Sequence, residues 1–192
     1  MEKVPVTGYA TEGKSLARVK GKVIFIQGAV PGDIADVLIT KNKKDWAEGN
    51  AVKINQYSSE RVTPFCIHFG ICGGCKWQML PYQKQLEYKE QEVRDVFKRI
   101  GKLHDALVLP IIGADDTIHY RNKLEFTFSN KKYLTADEFK ELGDDDWPGG
   151  AFGDHVPRLY DKIIEIKECW LMDDLNKVIR NSLRKFSEKN NY

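Results

Sequence analysis

The 192-residue sequence lacks any long apolar run, and this absence excludes several classes of protein. Its longest uninterrupted apolar segment is about Val23–Ile26, far shorter than the roughly 20 residues that a membrane-spanning helix needs. Met1–Ala10 contains no apolar stretch of the kind that directs export, so we expect a cytoplasmic protein that does not bind membranes. Collagen-like and coiled-coil periods are absent as well. A hydrophobic content of 42% still supports a packed core and argues against a wholly disordered chain.

The sequence also has little excess of charge of either sign. The sequence has 30 Lys and Arg residues against 28 Asp and Glu residues, a formal net charge of +2. The distribution is less even, since residues 1–132 carry 21 basic and 15 acidic side chains while residues 133–192 carry 9 and 13. Such an asymmetry permits contact with nucleic acid over the basic part of the chain without requiring it.

The first 57 residues favour short strands separated by turn signals. The predicted strands are Val4–Tyr9, Ser15–Val19, Lys22–Ile26, Ile34–Ile39 and Trp46–Gln56. Glycines and the turn Val30–Asp33 separate them, and no helical period occurs among them. Five short strands in this length predict a mainly β segment, a five-stranded OB-like barrel over residues 1–58, with an open meander as the alternative.

Residues 59–192 predict a mixed α+β region. A helix over Pro81–Gly101 begins with proline and ends at glycine, and we expect its apolar stripe to pack against a core or a neighbouring domain. That stripe consists of Leu86, Val93, Val96, Phe97 and Ile100. Alternating residues predict strands over Tyr120–Ser129 and Tyr160–Trp170, separated by an acidic surface segment over Leu134–Gly153.

A last helix is predicted after Asp173 or Asp174, either of which can cap its first turn. Its apolar residues are Leu175, Val178, Ile179, Leu183 and Phe186. No internal repeat accompanies these elements, so solenoid and propeller folds are excluded.

Three of the four cysteines lie within ten residues of one another. They are Cys66, Cys72 and Cys75, interleaved with glycines, while Cys169 lies far along the chain. Disulfides are not expected in a cytoplasmic chain of this length, and thiols with only a packing role fit poorly with this glycine-flanked group. Zinc prefers paired C-x2-C spacings, whereas a wide spacing, a narrow spacing and one remote thiolate are typical of ferredoxin-type clusters. An iron–sulfur cluster is favoured, with zinc and unligated thiols as alternatives.

Four short motifs together resemble those of one enzyme family. They are Cys-x5-Cys-Gly-Gly-Cys from Cys66, Trp77-Gln78 with Pro81-Tyr82, Tyr120-Arg121-Asn122-Lys123, and Ile166-Lys167-Glu168-Cys169. The pattern is similar to that of the bacterial RNA uracil-C5 methyltransferases, which act on 23S ribosomal RNA or, in near relatives, on transfer RNA. Residues 1–58 resemble the RNA-binding TRAM domain of that family, and residues 59–192 resemble part of its iron–sulfur central domain.

The resemblance implies a cofactor, a reaction and a substrate. A [4Fe-4S] cluster would be bound by Cys66, Cys72, Cys75 and Cys169. The complete enzyme would transfer a methyl group from S-adenosylmethionine to C5 of a uridine, after a thiolate adds to C6 of a base that has left its stack. The expected substrate is ribosomal RNA rather than transfer RNA, and we expect a monomer.

No segment of this sequence resembles the Rossmann-like catalytic domain of that family, with its Gly-rich cofactor turn, its Asp-Pro-Pro-Arg element and its nucleophilic cysteine. We therefore expect no catalytic residue here, and a chain that corresponds to the N-terminal portion of a longer enzyme and is inactive alone. A stand-alone RNA-binding or redox iron–sulfur module is the alternative. The long insert over Leu134–Pro157 matches no family residue.

Two groups of side chains are candidates for contact with RNA. The first, on the predicted strand after residue 119, consists of Arg121, Asn122 and Lys123. The second, in the predicted barrel, consists of Lys14, Arg18, Lys20, Lys22 and Phe25. Cations beside an aromatic ring are typical of OB-like proteins that bind nucleic acid, although each of these charges is also compatible with a merely solvated surface.

Overall fold

Strands dominate the first 56 residues of the computed structural model, which describes residues 1–143, 149–157 and 159–190. The six strands are β1 (Val4–Pro5), β2 (Gly8–Tyr9), β3 (Ser15–Val19), β4 (Lys22–Gln27), β5 (Ile34–Asn42) and β6 (Trp46–Gln56). They form one sheet in the order β1-β5-β6-β4-β3-β2, antiparallel except where β4 runs parallel to β6. The β-rich OB-like architecture is confirmed. The first predicted strand divides in two because Val4–Pro5 pairs with β5 whereas Gly8–Tyr9 pairs with β3.

The core of this sheet follows the alternation along its strands. Every second residue is buried, so that side chains from all the longer strands meet on one side. The buried cluster consists of Val4, Val6, Ala17, Ile24, Ile26, Ala29, Ala35, Val37 and Ala47. The small alanines allow the strands to approach closely, while Ile24 and Ile26 fill the centre. The opposite side of β3, β4 and β6 carries the larger polar and aromatic residues.

The helix predicted over Pro81–Gly101 is present as α1 (Tyr82–Arg99), one residue later at its start because Pro81 is the N-cap. The chain divides into two compact units, and α1 belongs to the first, residues 1–64 and 76–114, together with the sheet. Tyr88 of α1 packs on Tyr9 with ring centroids 4.0 Å apart. Over its C-terminal part the apolar stripe does not pack into a core within the described residues, since Val93, Val96, Phe97 and Ile100 are exposed. Packing of this part against a neighbouring domain stays a prediction. This helix contacts the sheet through Tyr88, while Gln85 bonds to the carbonyls of Trp77 and Leu80 in the preceding loop.

The second unit comprises residues 65–75 and the described residues from 115 onward. Its sheet has three antiparallel strands, β7 (Thr127–Ser129), β8 (Ala151–Val156) and β9 (Leu159–Glu165), in that order. A Cβ at Gly153 would overlap the carbonyl oxygen of Ile164, so only glycine permits this pairing of β8 with β9.

Several predicted elements of the second unit are shorter in the structure. Of the predicted strand Tyr120–Ser129 only β7 forms, because the backbone of Arg121 bonds instead to the carbonyl of Leu171. The strand predicted up to Trp170 ends at Glu165. The segment predicted as an acidic surface excursion contains helix α2 (Ala136–Glu141), followed by the start of strand β8. A capping box of Thr135 and Glu138 caps the N-terminus of α2. Residues 144–148 of this segment lie outside the described part of the chain.

The last helix, α3 (Asp174–Asn190), starts where the sequence predicts. The Asp173 side chain accepts a hydrogen bond from the backbone N–H of Asn176 at 2.9 Å, which is an N-cap interaction. The apolar stripe of α3, from Leu175 to Phe186, is exposed, whereas Arg180 and Ser187 are buried. The helix therefore turns its polar side inward, opposite to the usual arrangement of an amphipathic helix. Among the described helices, none is both long and apolar enough to cross a membrane.

Candidate nucleic-acid interface and cysteine cluster

The outward side of β3, β4 and β6 brings basic and aromatic residues together. Arg18 lies opposite Val23, and Val23 lies opposite Trp46, so the three form one row across the strands. The ring of Phe25, two residues along β4, meets the Trp46 ring edge to face at 6.3 Å between centroids. The Lys41 ammonium lies 4.8 Å from the centre of the Trp46 ring. We call Arg18, Phe25, Lys41 and Trp46 the aromatic-basic face.

The other basic candidates of the barrel are engaged to different degrees. Lys14 forms ion pairs with Glu12 at 3.3 Å and Glu48 at 3.4 Å, so its charge is largely compensated. The Lys22 ammonium donates hydrogen bonds to Asn42 Oδ1 and to the Lys43 carbonyl, which ties β4 to the end of β5. Lys20 lies exposed at the tip between β3 and β4. Of these three, Lys20 is best placed to reach a phosphate.

Arg121, Asn122 and Lys123 have exposed side chains in the second unit, on an irregular segment rather than on the predicted strand. Lys123 pairs with Glu125 at 2.9 Å, but both groups are open to solvent and such a pair is weak. These residues are therefore accessible, as the sequence predicts, but no strand pairing fixes their side chains on one face.

The four cysteines all belong to the second unit, and all are partly buried with no disulfide. Two hydrogen bonds join the segment around Cys66 to the segment that precedes Cys169. The backbone N–H of Lys167 donates to His68 Nε2 at 3.0 Å, and the N–H of Ile67 donates to Glu168 Oε1 at 3.4 Å. These contacts bring together residues that lie about a hundred positions apart.

The thiols are near enough to influence one another. Burial raises the pKa of the Cys66 thiol, and the neighbouring thiols of Cys75 and Cys169 raise it further. Burial, with smaller contributions from Asp154 and Cys75, raises the pKa of Cys72 to about 12. The backbone N–H of Gly74 donates to Cys72 Sγ at 3.3 Å, which is the role that the flanking glycines predict.

Within the described residues, no group of three or more His, Cys, Asp or Glu side chains is arranged to hold a metal ion. The predicted iron–sulfur and zinc sites are thus not present as closed ligand sets. The four thiols, which come from two distant segments, nevertheless lie in one unit. Thiolates are the ligands that soft metals and iron–sulfur clusters prefer. His68 is buried and its Nε2 already accepts a hydrogen bond from Lys167, so this ring nitrogen is not a free ligand.

Sequence reasoning missed Trp46 as a member of the aromatic-basic face, although it weighed Lys41 as part of a charged turn that is usually only solvated. The available signal was a tryptophan at the start of a predicted strand, next to a lysine-rich turn. What the sequence does not show is that β6 runs parallel beside β4, and it is this pairing that places Trp46 next to Phe25.

The comparisons with known proteins begin with the barrel, because residues 2–52 match the TRAM domain family. The structure also resembles the Pyrococcus abyssi tRNA (uracil-54, C5)-methyltransferase, which was solved in complex with S-adenosyl-L-homocysteine. The TM-score is 0.57 at 21% identity, covering 100% of this chain and 37% of that chain, a likeness that shows the fold. This chain is therefore a TRAM-domain protein, with the domain in residues 2–52.

Curated relatives extend this likeness over most of the sequence. An uncharacterized RNA methyltransferase of Bacteroides thetaiotaomicron is 46% identical over 183 residues, which are 95% of this chain and 40% of the relative. Its counterpart in Porphyromonas gingivalis is 42% identical over 94% of this chain and 39% of the relative. The chain belongs to this family of TRAM-containing RNA methyltransferases. It spans about 40% of the length of these relatives.

Proposed function

We propose that this chain is the RNA-binding and iron–sulfur portion of an S-adenosylmethionine-dependent RNA uridine-C5 methyltransferase. The observation that carries the proposal is the aromatic-basic face on a domain that matches the TRAM family. Aromatic rings that stack on bases, next to cations that neutralise phosphates, are the two components of single-strand recognition. In this proposal residues 1–58 bind RNA, and residues 59–192 form the incomplete iron–sulfur central region.

Trp46 and Phe25 are the stacking groups in this proposal. Both rings are partly exposed and meet edge to face. Arg18 and Lys41 flank them and supply the phosphate contacts, with Lys20 at the nearby tip. Arg121, Asn122 and Lys123 form a second RNA contact on the other unit.

The chemistry of the central region is proposed from its four thiols. Cys66, Cys72, Cys75 and Cys169 would bind a [4Fe-4S] cluster, since thiolates from a local group and a remote position are the ligands that such clusters use. When bound, the cluster would cross-link the two segments that Ile67 and Lys167 already join by hydrogen bonds. This role is structural. Methyl transfer would be carried out by the part of the relatives' length that this chain does not match. We therefore predict that the chain alone neither binds S-adenosylmethionine nor methylates RNA.

The experiment measures binding of a labelled single-stranded, uridine-containing RNA by fluorescence anisotropy at three salt concentrations. Trp46→Ala should weaken binding roughly 5- to 150-fold, the equivalent of about 1–3 kcal/mol for one stacked base. Trp46→Phe should retain most of the affinity. Arg18→Ala should also reduce the salt slope by about 0.7, the value for one phosphate contact on a single strand.

The matched control is Phe139→Ala, which removes an exposed aromatic ring from the second unit. It should bind RNA as the unmodified protein does. If Trp46→Ala binds RNA as tightly as Phe139→Ala while both remain folded, the aromatic-basic face is not the RNA site. Competition with unlabelled ribosomal and transfer RNA fragments then tests the predicted preference for ribosomal RNA.

A further inference from the structure

Three aromatic side chains of the second unit lie together at its surface. The His119 ring stacks on the Trp170 ring, with the two planes 7° from parallel and the centroids 6.0 Å apart. Phe65 meets Trp170 edge to face, at 5.6 Å between centroids. All three residues belong to the second unit, and we call them the aromatic stack.

The aromatic stack lies outside the apolar core. His119 is exposed and Phe65 is 52% exposed, while Trp170 is partly buried. The described apolar cluster of this unit is built around Ile164 and Ile166, and none of the three rings belongs to it. Single exposed aromatic residues are ordinary, but exposed rings that group together mark binding surfaces.

The backbone holds His119 in this position. Its φ of 58° lies in the left-handed region, which residues other than glycine adopt only rarely. Two hydrogen bonds fix the segment, because the N–H of His119 donates to the Trp170 carbonyl and the N–H of Arg121 donates to the Leu171 carbonyl, both at 2.8 Å. Backbone strain of this kind persists only where the surrounding structure imposes it, and it concentrates at binding sites. The stacking of His119 on Trp170 is therefore built into the fold.

Two charged neighbours divide the surroundings of the aromatic stack. Glu168 Oε1 accepts hydrogen bonds from Trp170 Nε1 at 3.2 Å and from the backbone N–H of Ile67 at 3.4 Å, which fixes the edge of the indole. This carboxylate disfavours a phosphate at that edge but does not repel an uncharged base. Arg121, two residues after His119, is exposed and forms no ion pair among the described residues, so its charge is available to a phosphate.

We propose that the aromatic stack binds one nucleobase of single-stranded RNA, which stacks with the imidazole of His119 while Arg121 contacts an adjacent phosphate. This inference rests on the proposed RNA-binding function and adds to it a base-stacking site that uses neither Trp46 nor Phe25. Stacking on aromatic side chains, histidine included, is how unpaired RNA bases are held. An apolar protein segment would match the rings but not the free arginine, whereas a nucleotide matches both.

The experiment compares the unmodified chain with His119→Asn and His104→Asn in the RNA anisotropy assay. Asparagine tolerates the left-handed backbone, so His119→Asn removes the ring without adding strain. The matched control is His104, an exposed histidine of the first unit. His119→Asn should weaken RNA binding roughly 5- to 10-fold, toward the lower end of the range for one stacked base. His104→Asn should bind RNA as the unmodified chain does.

The salt dependence of binding separates stacking from charge. The titrations are made at about pH 8, where an ordinary imidazole is uncharged. Stacking releases no counterions, so His119→Asn should leave the salt slope unchanged, whereas Arg121→Gln should reduce it by about 0.7. Unchanged affinity in folded His119→Asn, or a loss of slope like that of Arg121→Gln, would overturn the stacking role of His119.

The outcomes also distinguish this site from the aromatic-basic face. An unmodified chain that binds no RNA refutes the proposed function and this inference together. If Trp46→Ala weakens binding and His119→Asn does not, only the inference fails. Should His119→Asn fail to fold, photo-crosslinking of the unmodified chain to thiouridine-containing RNA, mapped by mass spectrometry, provides the test. Crosslinks in the aromatic stack would support the site, and a crosslink map that spares it would refute the site.

Discussion

Asp33 is the buried carboxylate that joins the TRAM sheet to the segment that follows it. Its side chain has 0% exposure and pairs with Arg61, whose side chain is 17% exposed. Oδ1 accepts hydrogen bonds from Arg61 Nε and from the backbone N–H of Ser58, both at 2.9 Å. Oδ2 accepts from Arg61 Nη2 at 2.7 Å and from the backbone N–H of Val30 at 2.8 Å. Both carboxylate oxygens are thus fully used.

Asp33→Ala should lower the free energy of unfolding by about 3–5 kcal/mol, the cost of removing one partner from a buried ion pair. The loss is large because Arg61 and two backbone N–H groups all lose their acceptor, and both of these N–H groups are buried. The free energy of unfolding of a native protein is only about 5–15 kcal/mol, so the variant should be close to the limit of folding. Asp33→Asn keeps the shape but replaces one acceptor oxygen by a donor, so its loss should be smaller.

Urea unfolding followed by tryptophan fluorescence measures the effect, since Trp46 lies in the sheet. Asp36→Ala is the matched control, because Asp36 also accepts two hydrogen bonds, from Lys3 and Asn55, but is only partly buried. It should cost much less than Asp33→Ala. If the two alanine variants lose equal stability, burial and the ion pair with Arg61 do not stabilise the domain as argued.

Two further predictions concern the second unit. Burial tends to raise the pKa of Glu165, but its ion pairs with Arg184 and Lys132 outweigh burial and lower that pKa. The ionised form therefore stabilises the fold above the ordinary pKa, and this contribution is lost as pH falls through the lower, folded value. Glu165→Gln should cost stability in urea at about pH 7 and little at about pH 3, and an equal cost at both would contradict the assignment. Ile179→Lys should change unfolding by less than about 0.5 kcal/mol, because the side chain is 50% exposed, whereas a loss above about 2 kcal/mol in the same urea assay would show that it is packed.

Local signals predicted the elements that local interactions stabilise. The strand alternation around Ile24 and Ile26 and the start of α1 after Pro81 are confirmed. So is the cap on α3 at Asp173. Three local effects explain these successes: the fixed backbone angle of proline, the capping of free helix N–H groups by a carboxylate, and the alternation of buried and exposed residues along a strand. Each acts within a few residues, so it is visible in the sequence.

Predictions that depended on a distant partner were less accurate. The segment Tyr120–Ser129 alternates like a strand, yet only its last three residues pair, because no strand among the described residues meets the first seven. The apolar residues of α1 do not all enter a core within the described residues, since Val96 and Ile100 are exposed. Periodicity shows that a helix has an apolar side, and the surroundings decide whether that side is buried.

The sequence by itself predicted a β-rich TRAM-like segment over residues 1–58, of which residues 2–52 match the TRAM family. It also showed that three cysteines lie close together along the chain and that a fourth lies apart. Only the tertiary structure decided that Trp46 joins Phe25, and that Arg180, rather than the apolar stripe of α3, is buried. The physical reason is that hydrogen bonds between remote strands and the burial of a charge are properties of the assembled chain. No window of neighbouring residues contains them.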